Sequence, residues 1–448
     1  MLFNGKMWAL LGFILHSIGL YSAAPTEPQN KIERTGPDQV HLSYGKNAEE
    51  MIVVWSTENI PKYSSSSYVT YGRKAGSLDM LVKTTEAVLK DGNPRGLGLI
   101  HRAVMKNLSP GTNYYYQVHS GGESSPQYQF VSMTDGEESS VKLLVFGDMG
   151  RHGGAPSLKS LIKETKTGAY SAALHVGDFA YDLDTDGGEN GDEFMRRVVP
   201  IASTIPYMTC PGNHEIAHNF SHYRYRFSMP NTNWPTPLDE MWYSFNLGKA
   251  HFVSYSTEAY FTNNQSYVST QMKWLINDLQ EANKIENRKK RPWIIVFGHR
   301  PMYCSNIDTD DCTRKHPILR GSLEPVFMEY GVDLIIEAHE HSYERSWPVY
   351  KNVVYQKNYN NPKAPVHIVS GMAGCNEFYG ICVNPMLGPR GRWSAFRSWF
   401  PGTYSYARLN IANVTHLSWT QVYSLTGDVE DQVWIAQDKH GPFNPVFA

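Results

Sequence analysis

The sequence predicts an α/β domain built on buried strands, preceded by an all-β sandwich. Three observations predict it. Residues 30–135 carry short segments of alternating, aromatic-rich residues separated by turn chemistry. Beyond a polar break, "DGEESS" at 135–140, apolar runs at 141–147, 172–176, 293–298 and 332–338 read as strands buried on both faces, alternating with helical periodicity. A chain of 448 residues is also too long for one small core and calls for two or three domains.

The N-terminus, "MLFNGKMWALLGFILHSIGLYSAAP", has one Lys, an apolar run from Met7 to Leu20, then Ser22, Ala23 and Ala24. Basic, apolar and small-residue regions in that order are the pattern of a secretory signal peptide, assigned to 1–24, and the run is short for a membrane span. Sequons at Asn107, Asn219, Asn264 and Asn413 then become candidate glycan sites, the first weakened by Pro110. Lys+Arg 41 against Asp+Glu 43 leaves no one-signed field to attract nucleic acid, so that class of partner is excluded.

The segments 51–57, 67–72, 113–120 and 127–134 supply sandwich strands of a domain over 30–135 that carries no catalytic cluster. The α/β domain spans 141–355. Within 268–283, Met272, Leu275, Ile276 and Leu279 recur at helical spacing, and "ENRKKR" (286–291) reads as a solvated exit. A tail, 356–448, mixes strands such as "APVHIVSGMAG" and "HLSWTQVYS" with a Trp-rich loop and is expected to complete that domain. In a secreted chain, Cys304 with Cys312 and Cys375 with Cys382 are expected as two short-loop disulfides, although four cysteines allow three connectivities; Cys210, ending an apolar run, is expected as a buried thiol.

The residues just past each apolar run carry the chemistry. The runs end in Gly147-Asp148-Met149-Gly150, Gly177-Asp178-Phe179-Ala180-Tyr181, Gly212-Asn213-His214-Glu215, Gly298-His299 and His339-Glu340-His341. In parallel sheets the working residues lie beyond the carboxyl ends of the strands. Each motif alone fits a cap or a core histidine. Together they place carboxylates, a phenol, an amide and imidazoles at five strand ends of one domain, and buried carboxylates are costly unless paired or metal-bound. Carboxylate, imidazole and amide oxygen suit divalent first-row ions, and seven ligands exceed one ion's needs. A pair of ions sharing Asp178 accommodates them, as in two-metal hydrolysis.

These five motifs in order resemble those of the purple acid phosphatases, within the calcineurin-like metallophosphoesterases, and the resemblance extends over the sandwich and the tail of the long, two-domain form. It implies a metallophosphoesterase β-sandwich flanked by helices behind a fibronectin-III-like domain. Generic members of the superfamily have His where Gly150 stands, as a ligand of the first ion; the resemblance implies that Tyr181 replaces it here. A phenol with an ordinary pKa near ~10 ionises readily only against a strong Lewis acid such as ferric iron. The resemblance therefore implies Asp148, Tyr181 and His341 on Fe(III), Asp178 bridging, and Asn213, His299 and His339 on a divalent Fe, Zn or Mn. It implies a secreted acid phosphatase that hydrolyses phosphate monoesters by in-line attack of a metal-bound hydroxide. It further implies His214 as the catalytic side chain that faces substrate, and Glu215 is expected to orient a neighbour.

Two positions depart from the family. Ala338 stands where Gly is usual, a small steric change with little effect expected. Asp308 and Thr309, in "CSNIDTDDC", stand where plant relatives have a substrate-facing His pair, so the loop either points away or alters selectivity. Competing readings are a phosphodiesterase or protein phosphatase of the same superfamily, a secreted glycoprotein on a dead scaffold, and a side reaction with peroxide. The first is disfavoured by Gly150 with Tyr181, and the second by the complete ligand set. Extracellular and lysosomal destinations are both open.

Overall fold

A computed structural model describes residues 36–58, 67–92, 98–134, 140–152, 154–262, 264–305, 312, 317–374, 389–398 and 403–443. The expected signal peptide, Cys375, Cys382, Asp308 and Thr309 lie outside the described residues. From Thr35 onward the chain forms one compact unit.

The N-terminal part holds β1 (Asp38–Tyr44), β2 (Met51–Thr57), β3 (Tyr68–Gly72), β4 (Met80–Lys83), β5 (Thr85–Val88), β6 (Leu99–Met105), β7 (Asn113–Ser120), β8 (Glu123–Ser124) and β9 (Tyr128–Val131). They pair as one sheet in the order β1-β2-β6-β5 and another in the order β4-β3-β7-β8, with β9 also on β7. Alternation along β7 sends Tyr114, Tyr116 and Val118 inward against Trp55 and Phe130, as the period of two requires.

The second part begins with β10 (Val141–Phe146), helix α1 (Ala155–Thr165), β11 (Ala172–Val176), α2 (Glu189–Ala202), β12 (Tyr207–Cys210) and α3 (Ala217–Arg226). It continues with β13 (Tyr243–Leu247), β14 (Ala250–Ser254), α4 (Gln265–Ala282), α5 (Ile285–Lys290), β15 (Trp293–Phe297), α6 (Pro317–Glu329) and β16 (Leu334–Glu337). Next come β17 (Tyr343–Ser346), the hairpin β18 (Val349–Tyr350) and β19 (Val353–Val354), then β20 (Val366–Ser370), β21 (Ser394–Arg397), β22 (Ser405–Ile411), β23 (His416–Tyr423) and β24 (Val429–Ala436). Two sheets result, ordered β12-β11-β10-β22-β23-β24 and β13-β14-β15-β16-β20-β17-β21. Parallel pairing runs through β10-β11-β12 and β14-β15-β16-β20, whose residues are buried on both faces, which is why these strands read as continuous apolar runs. The tail supplies β20 and β21 to one sheet and β22–β24 to the other.

Two local readings need correction. Helix α4 turns Gln271, Leu275, Leu279 and Ala282 inward, so Met272 and Ile276 sit at the edges of its buried face. Gln271 is tolerated at the centre because it accepts from the Ser256 N–H (2.7 Å) and donates to the Ser256 carbonyl (2.9 Å). The segment 286–291 lies largely within α5. Its Arg288 is buried, donating to the Gly331 carbonyl at 2.7 Å beside Asp333, so one member of the basic run belongs to the interior. Cys304 and Cys312 are bridged and Cys210 is a buried free thiol. No helix among the described residues is long and apolar enough to cross a membrane.

The sandwich is docked on the second part by polar and apolar contacts. The Tyr116 hydroxyl donates to the Ser203 carbonyl (2.8 Å), the Tyr44 hydroxyl to the Ser171 carbonyl (2.7 Å), and Arg196 on α2 pairs with Asp38 (2.6 Å). One apolar cluster runs without a break from Trp55 and Tyr116 to Phe146 and Ile336.

Candidate metal centre

Each expected ligand lies just past a strand of the parallel core: Asp148 after β10, Asp178 and Tyr181 after β11, Asn213 after β12, His299 after β15, and His339 with His341 after β16. The loops are held by bonds between neighbours. Asp148 N–H donates to the Gly177 carbonyl (3.3 Å), Gly150 N–H to that of Phe179 (2.8 Å), and Ala338 N–H to that of His299 (2.8 Å). Four of these residues take left-handed backbone conformations: Asp148 (φ 57°), Asp178 (φ 51°), Tyr181 (φ 55°) and His339 (φ 67°). Such conformations cost about 1–3 kcal/mol each and cluster where a fold holds side chains for function.

The side chains form two touching groups. In one, the Tyr181 hydroxyl lies 3.3 Å from Asp148 Oδ1 and 2.5 Å from His341 Nε2, and His341 Nε2 is 3.6 Å from Asp148 Oδ1. In the other, Asp178, His299 and His339 present ligand atoms all within 4.8 Å of one another. His299 Nε2 lies 3.2 Å from Asp178 Oδ2, 3.0 Å from Asn213 Oδ1 and 3.2 Å from His339 Nδ1. The groups are joined where the His339 N–H donates to Asp148 Oδ2 at 2.9 Å.

The donor set fits a cation. His299 is fully buried, and its Nδ1 donates to the Val176 carbonyl at 2.9 Å. With that proton committed, the Nε2 of the neutral ring is an acceptor, yet it faces a carboxylate oxygen and an amide oxygen. Convergent lone pairs with too few protons between them are what a metal ion resolves, and a backbone carbonyl on the far ring nitrogen is the usual partner of a ligating histidine. Asp148 and Asp178 are both buried, which makes their charges costly without such a partner. Burial pushes the Asp178 carboxyl up, but attraction to His299, His214 and His339 in their protonated forms, in the place that a metal ion's charge would take, outweighs it and holds it well below the usual carboxylate range. The same attraction raises His299 against the lowering effect of its burial.

Glu215 is buried and accepts three N–H groups, from Asp178 (2.9 Å), Phe179 (3.0 Å) and Gly212 (2.8 Å). It ties the loop after β12 to the loop after β11. Burial and the charge of Asp178 push it up to about 8, against the pull of the Phe179 and Gly212 N–H groups. Glycines allow the close approach. A Cβ on Gly177, itself at φ 78°, would collide with the His299 ring, and one on Gly212 with the Asp178 carboxylate. The Ala338 methyl occupies the space a side chain at Gly147 would need, 2.5 Å from an added Cβ, so a glycine at 147 leaves room for it.

His214 stands at the rim. Its N–H donates to Asp178 Oδ1 (3.0 Å), its ring packs on Tyr181 (centroids 4.5 Å apart), and its Nε2 is 4.0 Å from Asp178 Oδ2. Three neighbours were not read from the sequence. Asp182 Oδ1 accepts from His214 Nδ1 at 2.9 Å. Asn190 on α2 donates through Nδ2 to the carbonyls of Ala180, Tyr181 and Asp182. Tyr404 packs on Tyr181. A signal existed for Asp182, which directly follows Tyr181 in the acidic run Asp182, Asp184, Asp186. Asn190 and Tyr404 gave none, since only the fold brings them near.

Comparisons with known proteins converge on one family. Residues 37–132 match the model described as purple acid phosphatase, N-terminal domain. Residues 141–343 match calcineurin-like phosphoesterase, and 364–432 match iron/zinc purple acid phosphatase-like protein C. Acid phosphatase type 7 of Danio rerio is 44% identical over 429 residues, covering 91% of this chain and 93% of its own. The Homo sapiens protein of that name is 43% identical over 424 residues, covering 90% and 92%. A purple acid phosphatase from yellow lupin (Lupinus luteus) seeds superposes with a TM-score of 0.77 over 90% of this chain and 75% of its own; at 24% identity it attests the shared fold.

Proposed function

The chain belongs to the purple acid phosphatases and is an acid phosphatase, and on that premise we propose that it hydrolyses phosphate monoesters at a binuclear centre of a ferric and a divalent ion. The observation that carries this reading is the convergence of acceptor atoms on Asp178, with His299 Nδ1 committed to a carbonyl and Nε2 facing oxygen atoms. Asp148, Tyr181 and His341 would hold the ferric ion; Asn213, His299 and His339 would hold Fe, Zn or Mn in the divalent state; Asp178, which lies with His299 and His339, would be shared between the two, as the resemblance implies. When bound, such a pair supplies Lewis acidity, making water nucleophilic at low pH and neutralising charge on phosphoryl oxygens.

The chain's own residues do the rest. Buried Asp148 and Asp178 concentrate negative charge that two cations would offset. Glu215 fixes the backbone of Asp178 and Phe179. His214, with its Nε2 beside Asp178, is placed to hold a phosphoryl oxygen or to deliver a proton to the leaving alkoxide. Gly150 and Tyr181 together favour the monoesterase over a phosphodiesterase or protein phosphatase, whose first motif usually keeps His. The signal peptide over 1–24, the sequons at Asn107, Asn219, Asn264 and Asn413, and the Cys304–Cys312 bridge support entry into the secretory route, with N-glycans and an extracellular or lysosomal destination.

The test compares an aryl phosphomonoester with a bis-aryl phosphodiester at acidic pH. The reading expects preference for the monoester, and an Asp178→Asn variant that loses more activity than the roughly 10–100-fold cost of removing an outer partner of a metal ligand. Preference for the diester, or an Asp178→Asn variant that stays active, would overturn it.

A further inference from the structure

We propose that Asp182 is a positioning residue that sets the orientation of His214 toward substrate, an inference that rests on the proposed role of His214 at the phosphoryl group. The two side chains meet at 2.9 Å, Asp182 Oδ1 to His214 Nδ1. Contacts of both its backbone and its ring hold His214. Its backbone N–H is tied to Asp178 Oδ1 (3.0 Å), its ring packs at a tilt of 55° against that of Tyr181 (centroids 4.5 Å apart), and Nδ1 is taken by Asp182. The remaining nitrogen, Nε2, lies 4.0 Å from Asp178 Oδ2, on the side of the ring nearer the candidate metal ligands. The acceptor at Nδ1 distinguishes the two ring nitrogens, since a flip about the Cβ–Cγ bond would give up that hydrogen bond.

Asp182 is built for this despite being exposed. It takes φ 69°, a left-handed conformation next to that of Tyr181 at φ 55°. Two such residues in succession are held by Asn190, which is buried and donates to the carbonyls of Ala180 (3.1 Å), Tyr181 (3.1 Å) and Asp182 (2.8 Å). One clamp therefore serves two neighbours with different tasks. The phenol of Tyr181 points to Asp148 and His341, while the carboxylate of Asp182 points to His214. An exposed Asp with only a solubilising role needs neither the strained backbone nor the buried clamp.

The experiment is a double-mutant cycle on the secreted holoenzyme with Asp182→Ala, His214→Ala and the double variant, and with Asp182→Asn beside them. It reads kcat and KM for an aryl phosphate, and the Kd of inorganic phosphate by calorimetry. In the native background Asp182→Ala is expected to cost on the order of tenfold in kcat/KM and to weaken phosphate binding, as loss of a hydrogen bond to a working group does. In the His214→Ala background it is expected to cost less than about twofold, because nothing is left to position. Asp182→Asn, which keeps an acceptor oxygen in place, is expected to recover most of the loss. Equal costs in both backgrounds, no cost in either, or an Asp182→Asn as impaired as Asp182→Ala would overturn the inference while leaving the metal-centre reading intact. A His214→Ala variant with undiminished activity and phosphate affinity would instead remove the role of His214 itself, and the inference with it.

Discussion

Glu215 shows how much of the centre depends on a residue that does no chemistry. Its carboxylate satisfies three buried N–H groups on two loops. Glu215→Ala orphans all three, at about 1–3 kcal/mol for each unsatisfied group. Denaturant unfolding should show a loss of about 3 kcal/mol or more, with Glu215→Gln intermediate because it offers one acceptor oxygen; a loss within about 0.5 kcal/mol, ordinary for a surface site, would contradict the tie. His175 sets a pH dependence. Burial among Phe146, Phe179, Phe194 and Tyr207 lowers it from the ordinary 6.5 to about 3. Between those values the unfolded chain binds a proton that the folded chain refuses, so this residue's share of stability is present above pH 6.5 and is lost as pH falls toward 3. Melting temperatures of the native protein and His175→Asn across that window should converge toward the acid end, and parallel curves would contradict it. At this scale the seven candidate ligands were legible because each lies at or near the end of an apolar run. Asp182 was not, because an Asp after a motif reads as a turn residue until its distance to His214 is known.

The turns between strands and helices are the elements that make the centre possible. Gly177 combines φ 78° with contact against the His299 ring, and Gly212 lies against the Asp178 carboxylate. Gly177→Ala forces a Cβ into both a left-handed backbone and that ring. It should cost at least about 1–2 kcal/mol from the backbone alone, and in addition displace His299. Metal content and unfolding measured on Gly177→Ala should both fall, and a variant with native metal content and stability would show that the approach is not required. The parallel strands β10, β11, β15 and β16 were readable to within two residues, because burial on both faces leaves an uninterrupted apolar run, whereas β14 was not read. The elements misread were those whose polar residues are satisfied by tertiary partners. Gln271 is bonded to Ser256 at the centre of α4, and Arg288 to Gly331 on α5. Nothing local to either sequence announces such a partner.

At the scale of the whole molecule, the sandwich and the α/β part share one apolar cluster and meet through Tyr44, Tyr116, Asp38 and Arg196. Shared burial couples their stabilities, so calorimetry should show a single unfolding transition, and Tyr116→Phe, which strips a hydrogen bond from that contact, should lower it as a whole. Two resolved transitions would mean that the parts fold independently. Composition could announce both parts, by their change of period near residue 140, but not their union, because residues that meet across the contact lie far apart in the chain. The same union of distant segments brings five loops together around Asp178, and the central claim is that they hold a ferric and a divalent ion. The measurement that tests it most directly is metal content with the visible spectrum, on protein purified from a secreting host beside Tyr181→Phe. The account predicts about two metals per chain, one of them iron, as a two-ion site requires, and a purple phenolate-to-iron band that Tyr181→Phe abolishes. A colourless, active protein with only divalent ions would contradict the ferric assignment.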